Sequence, residues 1–193
     1  MMRKIERENT GLLQAGQDLV VAGYAGLAGT VKLAEAKEEE LSRWFSNGYM
    51  EEIAGCSRYL LREENGFWRS CGAAEWEPAG EGGILTAIWN LTGAYETGVE
   101  FYLRQIPIRQ ETVEVCERLE LNPYRLYSRG CVLLTADNGG QLVRILAEKH
   151  IPAQVIGRVN KGIAREMIVQ EGRGFLERPQ PDEITKVIPG FFN

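Results

Sequence analysis

The stretch GVEFYLRQIPIRQETVEVCERLELNPYRLYSRGCVLLTAD, Gly98–Asp137, changes its apolar period within a short span, and that decides the fold class. At its start Val99, Phe101 and Leu103 alternate with Glu100, Tyr102 and Arg104, the two-residue period of a half-buried strand. Gln110–Leu121 is amphipathic at helical spacing and predicts a helix with Val113, Cys116 and Leu119 inward, and Val115 a candidate beside them. Asn122–Gly130 is a turn, punctuated by Pro123 and Gly130. Cys131–Asp137, opening on the apolar run Cys131–Leu134, reads as a strand buried on both faces.

Working outward, Asp18–Gly26 (DLVVAGYAG) predicts another buried strand. Ala28–Phe45 is rich in helix formers, with Leu33, Leu41, Trp44 and Phe45 available for an inner face. Within it Lys37–Glu40 reads as a solvated face or as the acid-rich first turn of a second helix. Tyr49–Asn65 continues the helical pattern with Met50, Ile53, Cys56, Leu60 and Leu61 on one stripe, and a further helix runs from Gly83 to about Thr92. Downstream, Asn138–His150 predicts a helix with a Gly-rich start, and Pro152–Asn160 a strand. The tight turn Asn160–Gly162 then predicts a hairpin with the strand in Ala164–Gly172, before a short strand and a small C-terminal helix. This order gives an α+β fold, an α/β sandwich in which a mixed β-sheet is covered by helices. Residues 1–17 read as an N-terminal arm and 18–193 as one domain.

Composition removes several function classes. A net charge of -5 and a low isoelectric point speak against a nucleic-acid surface. No apolar run approaches the ~20 residues of a membrane span, and acids interrupt the N-terminus where a signal peptide would be apolar, so a cytoplasmic protein is expected. Cys56, Cys71, Cys116 and Cys131 are scattered and His150 is the only histidine, so no metal site is expected and the thiols read as free and buried. Neither Cys116 nor Cys131 has a base near it in sequence, and His150 reads as a helix-ending cap.

The chemistry-bearing candidate is EWEPAGEGGILTAIWN, Glu75–Asn90. Gly82-Gly83 opens a helix, where free N–H groups and the helix dipole favour an anion. The competing reading is that these glycines permit a tight turn and close packing, and it is preferred. Glu75, Glu77 and Glu81 could hold a divalent cation, but three acids near a loop are expected to be solvated. Trp89 reads as core, whereas Trp76, placed in the loop, is an exposed contact or a plug. In Tyr127–Cys131, Ser128 and Gly130 suit a cleft-lining turn, and Arg129 is a phosphate partner or an ordinary surface residue.

The segments GLAGTVKLAE, GEGGILTAIWNL, the Gly98–Asp137 run and IPAQVIGRVNKG occur in an order that resembles the C-terminal domain of the AIR synthase (PurM) superfamily, with HypE-like bacterial proteins most similar. That superfamily includes ATP-dependent synthases and kinases, such as selenophosphate synthetase and thiamine-monophosphate kinase. The resemblance spans roughly Asp18–Asp182 and implies a C-terminal domain without the N-terminal domain that supplies most magnesium and ATP ligands. It places the family's His, Asp and Thr on Glu77, Pro78 and Gly80, while Glu81, Gly82 and Gly83 stay in pattern; the chain ends PGFFN, without the terminal Cys of HypE. The implied protein is a degenerate, non-catalytic binding domain for a small anionic ligand or a partner protein, expected as a homodimer or as a monomer covered by its 1–17 arm. As an alternative, it is one subunit of a split enzyme, taking up Mg-ATP only when a separate N-terminal-domain protein completes the site with Gly82, Gly83, Ser128, Arg129 and Gly130.

Overall fold

A computed structural model describes residues 13–193. Its strands are β1 (Asp18–Ala22), β2 (Glu75–Pro78), β3 (Gly98–Tyr102), β4 (Val132–Ala136), β5 (Ala153–Asn160), β6 (Arg165–Val169) and β7 (Gly172–Phe175). Its α-helices are α1 (Leu27–Ala36), α2 (Glu38–Leu41), α3 (Asn47–Gly55), α4 (Asn65–Ser70), α5 (Gly83–Ala94), α6 (Gln110–Arg118) and α7 (Gly139–Glu148). The strands form one sheet in the order β2-β4-β1-β5-β3-β6-β7. Only β3 and β6 pair in parallel, so the sheet is mixed.

β1 shows why the sheet needs cover on both faces. Leu19 and Val21 point into one core with Ile84, Ile88 and Leu91 of α5 and Phe101 of β3. Val20 and Ala22 point the other way, against Leu142 and Leu146 of α7 and Trp68 of α4. A third cluster holds α1, α3 and α6 together through Leu33, Ile53 and Cys116, with Ile184 from the C-terminal segment. The predicted arm falls mostly on residues outside the described ones; of its end, Leu13 is buried in the main core and Gly16 N–H donates to the Val159 carbonyl at 2.8 Å.

Several expectations are corrected. β5 and β6 do not form a hairpin: β3 lies between them, Val99 facing both Val159 and Arg165. The chain crosses the end of β3 at Gly98, where a Cβ would come within 2.5 Å of the Ala164 carbonyl oxygen. Trp44 is exposed at 63% and carries Arg118 on its ring, 4.6 Å from the centroid. Val113 is also exposed, and the inner face of α6 is made by Glu111, Thr112, Val115 and Cys116. The Lys37–Glu40 run resolves as the first turn of α2, with all three glutamates in it. The third helix stops at Gly55 and gives way to a 3-10 turn at Cys56–Tyr59, which takes Leu60 and Leu61 off the helical stripe.

Candidate functional site

Three loops meet at one end of the sheet: Gly23–Gly26 after β1, Ala79–Gly82 after β2, and Leu126–Cys131 before β4. The antiparallel β1–β4 and β2–β4 pairs bring them there, Ala22 opposite Val132 and Pro78 opposite Val132. Ser128 knots them together. Its fully buried hydroxyl accepts the Gly26 N–H at 2.8 Å and donates to the Leu126 carbonyl at 2.7 Å, while its own N–H donates to the Gly80 carbonyl at 3.1 Å. A hydroxyl engaged in both directions is committed to the fold.

The glycine pair has two jobs. Gly82 and Gly83 both lie in the left-handed region, at φ 77° and 69°, which glycine alone adopts at no steric cost. At Gly83 a Cβ would meet the Tyr124 carbonyl and stand 2.9 Å from the Arg125 Cα, so the start of α5 packs directly on that backbone. The anion at the helix start is supplied by the chain itself. Asp182 Oδ2 accepts the Gly82 N–H at 2.6 Å, and Oδ1 accepts the N–H groups of Tyr127 and Ile184 at 3.1 and 2.9 Å. The residue is 1% exposed. Burial pushes its carboxyl above the ordinary value, the three N–H donors pull it back in part, and Glu81 adds repulsion.

The acids before the loop are not solvated, contrary to expectation. Glu75 and Glu77 lie on β2, 8% and 2% exposed, and only Glu81 reaches solvent. Glu75 accepts bonds from the Tyr95 hydroxyl and, at 3.2 Å, from the Trp76 N–H. Trp76 is likewise on the strand and half-buried against the α4–α7 core, with Arg69 5.7 Å from its ring centroid. Trp89 is half-buried under Arg165, whose guanidinium lies 4.1 Å from the ring centroid. Pro78 is exposed, Gly80 and Gly130 half-buried, and Arg129 exposed without a carboxylate partner among the described residues. The structure thus brings together Gly80, Gly82, Gly83, Ser128 and Gly130 and leaves Arg129 outside.

All four cysteines are buried and free. Burial drives the Cys116 and Cys131 thiols up to about 12, Glu183 adding to the effect at Cys116. Among the described residues no His, Cys, Asp and Glu side chains gather as a metal site, and no helix is long and apolar enough to cross a membrane. Sequence reading missed Asp182. Its place just before a 3-10 turn marks it as a cap for Ile184, but nothing local signals its bond to Gly82, 100 residues away.

Residues 78–170, which hold two of the three loops, match the family profile described as AIR synthase related protein, C-terminal domain. A Methanocaldococcus jannaschii protein named for hydrogenase expression and formation is 25% identical over 183 residues, 91% of this chain and 52% of that protein. The crystal structure of E. coli HypE, a hydrogenase maturation protein, superposes with a TM-score of 0.66 at 20% identity, covering 89% of this chain and 52% of that one. Thiamine-monophosphate kinase from Stenotrophomonas maltophilia superposes at 0.61 and 18% identity, covering 85% and 53%. The chain therefore spans about half the length of the relatives it matches.

Proposed function

Since residues 78–170 match the family described as AIR synthase related protein, C-terminal domain, we propose that this chain acts as a non-catalytic binding domain whose glycine loop keeps the family's shape without its phosphate chemistry. Fold alone does not choose a reaction, because the same architecture serves a hydrogenase maturation protein and a kinase. The observation that carries the reading is the Asp182 carboxylate on the Gly82 N–H, which puts a negative charge where a nucleotide phosphate would need a donor. Glu77 is buried beneath the loop, and Pro78 offers neither a carboxylate nor an N–H. The residues present do not fit a triphosphate.

The working interaction is with protein: a second copy of the chain or a separate domain equivalent to the half of the relatives that this chain does not cover. Its setting is cytoplasmic. Calorimetry with Mg-ATP, paired with light scattering, tests this. The expected result is no heat from the nucleotide alone and a mass above that of the monomer, or one that rises when a candidate N-terminal-domain protein is added. Nucleotide binding by the chain alone, at micromolar affinity, overturns the reading. Nucleotide uptake that appears only in the mixed complex replaces it with a split ATP-dependent enzyme.

A further inference from the structure

Beside the loop cluster, but separate from the glycine loop, a cleft of about 320 Å³ opens between the 57–63 segment and the end of α7. Its lining includes Arg58, Arg62, Glu63, Lys149 and His150. Three cations in one cleft are unexpected in a chain of net charge -5. Among the described residues none of the three forms an ion pair, although eight other basic residues do. The one acid, Glu63, accepts the Arg62 backbone N–H at 2.8 Å and forms no ion pair among the described residues.

The cleft is also held in shape. The Leu61 N–H donates to the Gly130 carbonyl at 3.1 Å, and a Cβ on Gly130 would stand 2.8 Å from the Leu60 Cβ, so the 57–63 segment is locked on the turn before β4. On the opposite wall the Gly23 N–H donates to the Pro152 carbonyl at 2.8 Å, fixing the chain just after His150. Arg58 is positioned by the Tyr59 hydroxyl at 3.0 Å and lies over that ring, 4.7 Å from its centroid, which leaves the remaining guanidinium N–H groups open. His150 closes α7 in a left-handed conformation, φ 59°, with its ring exposed at the rim. Guanidinium forks suit planar or tetrahedral oxyanions, and the volume is at the lower end of small-molecule sites.

We propose that the cleft between Arg58, Arg62, Lys149 and His150 is a binding site for a small molecule bearing a phosphate or a comparable oxyanion. It lies outside the Asp182-closed loop, so it stands whether or not that loop binds nucleotide.

Because His150 is the only histidine, its ring gives one unambiguous reporter signal in tag-free protein. Pyrophosphate, titrated at 150 mM salt and followed by carbon–proton NMR of that ring, is expected to shift the signal saturably in the millimolar range or below. The charge-reversed pair Arg62→Glu with Lys149→Glu is expected to weaken binding tenfold or more, and Arg158→Glu, on another surface, to leave it unchanged. A signal that does not move up to 20 mM pyrophosphate overturns the proposal, as does an equal loss in the Arg158 variant. Saturable binding of an acidic peptide with no response to pyrophosphate also overturns it, and assigns the cleft to a protein partner. Both exchanged positions are exposed, so circular dichroism of the double variant should match the parent.

Discussion

Asp182 Oδ2 sits 2.6 Å from the Gly82 nitrogen and joins the C-terminal segment to the N-cap of α5. Replacing Asp182 by Ala removes the acceptor for the Gly82, Tyr127 and Ile184 N–H groups together, and is expected to cost about 2–3 kcal/mol in denaturant unfolding. It also frees the helix start. Inorganic phosphate should then recover part of the loss in Asp182→Ala while leaving the parent unaffected, and an equal response in both would show that the carboxylate does not fill an anion position.

The pH dependence follows from the raised carboxyl of Asp182. The native state holds this proton more tightly than the unfolded chain, so between the ordinary value of 3.8 and the raised native value stability falls as pH rises. Asp182→Asn has no such titration. The stability difference between parent and Asn variant should therefore decline as pH rises from 3.8, and a difference that grows instead would put the native pKa below the ordinary one.

Ser128 and Arg129 are neighbours with opposite roles. Ser128→Ala strands the Gly26 N–H and Leu126 carbonyl in a dry interior and should cost about 1–3 kcal/mol. Arg129→Ala, exposed and unpaired among the described residues, should stay within about 0.5 kcal/mol. Urea midpoints of the two variants decide it; near-equal costs would mean that the loops are not knotted at Ser128.

How far the sequence reveals this fold depends on the range of the interaction being read. The burial of β1 and β4, the start of α5 at Gly83 and the chain order of strands are local properties of apolar period and glycine punctuation. The failed hairpin is different: Asn160–Gly162 has turn chemistry, but only the need of Val99 and Phe101 for neighbours on both sides places β3 between β5 and β6. Burial of Glu75 and Glu77 was illegible for a similar reason, because EWEP becomes a strand only by pairing with the distant β4, Glu75 opposite Thr135 and Glu77 opposite Leu133. The candidate loop was found from its glycines, whereas its charge balance was set by Asp182 beyond any local window.

The buried thiols make a chemical prediction. Cys116 and Cys131, pushed up to about 12 by burial, carry almost no thiolate at pH 8. Neither should react with iodoacetamide in the native protein, and both should react in denaturant. Mass spectrometry that finds either one modified under native conditions would reopen the case for a nucleophile.

Arg109 and Glu111 form a two-pronged ion pair within the helical layer. The guanidinium lies 4.3 Å from the Tyr59 ring centroid and 5.5 Å from that of Tyr24, and it holds Glu111 through two bonds of 2.6 and 3.0 Å. Glu111 is 3% exposed. Burial pushes its carboxyl up, but the bonds from Arg109, its own backbone N–H and the Cys56 thiol outweigh that and leave it below the ordinary value. Its contribution to stability is thus present above the ordinary value of 4.5 and is lost as pH falls through the lowered native value. Arg109→Leu leaves a buried, uncompensated carboxylate and should cost about 3–5 kcal/mol near neutral pH, with much of the loss recovered by adding Glu111→Leu. Arg109→Lys should recover little, because an ammonium cannot form the two-pronged contact or lie flat between the tyrosines. Thermal unfolding of the three variants tests the argument: full stability of the Lys variant, or a double variant no better than Arg109→Leu, would show that simple charge, or simple volume, holds this layer together.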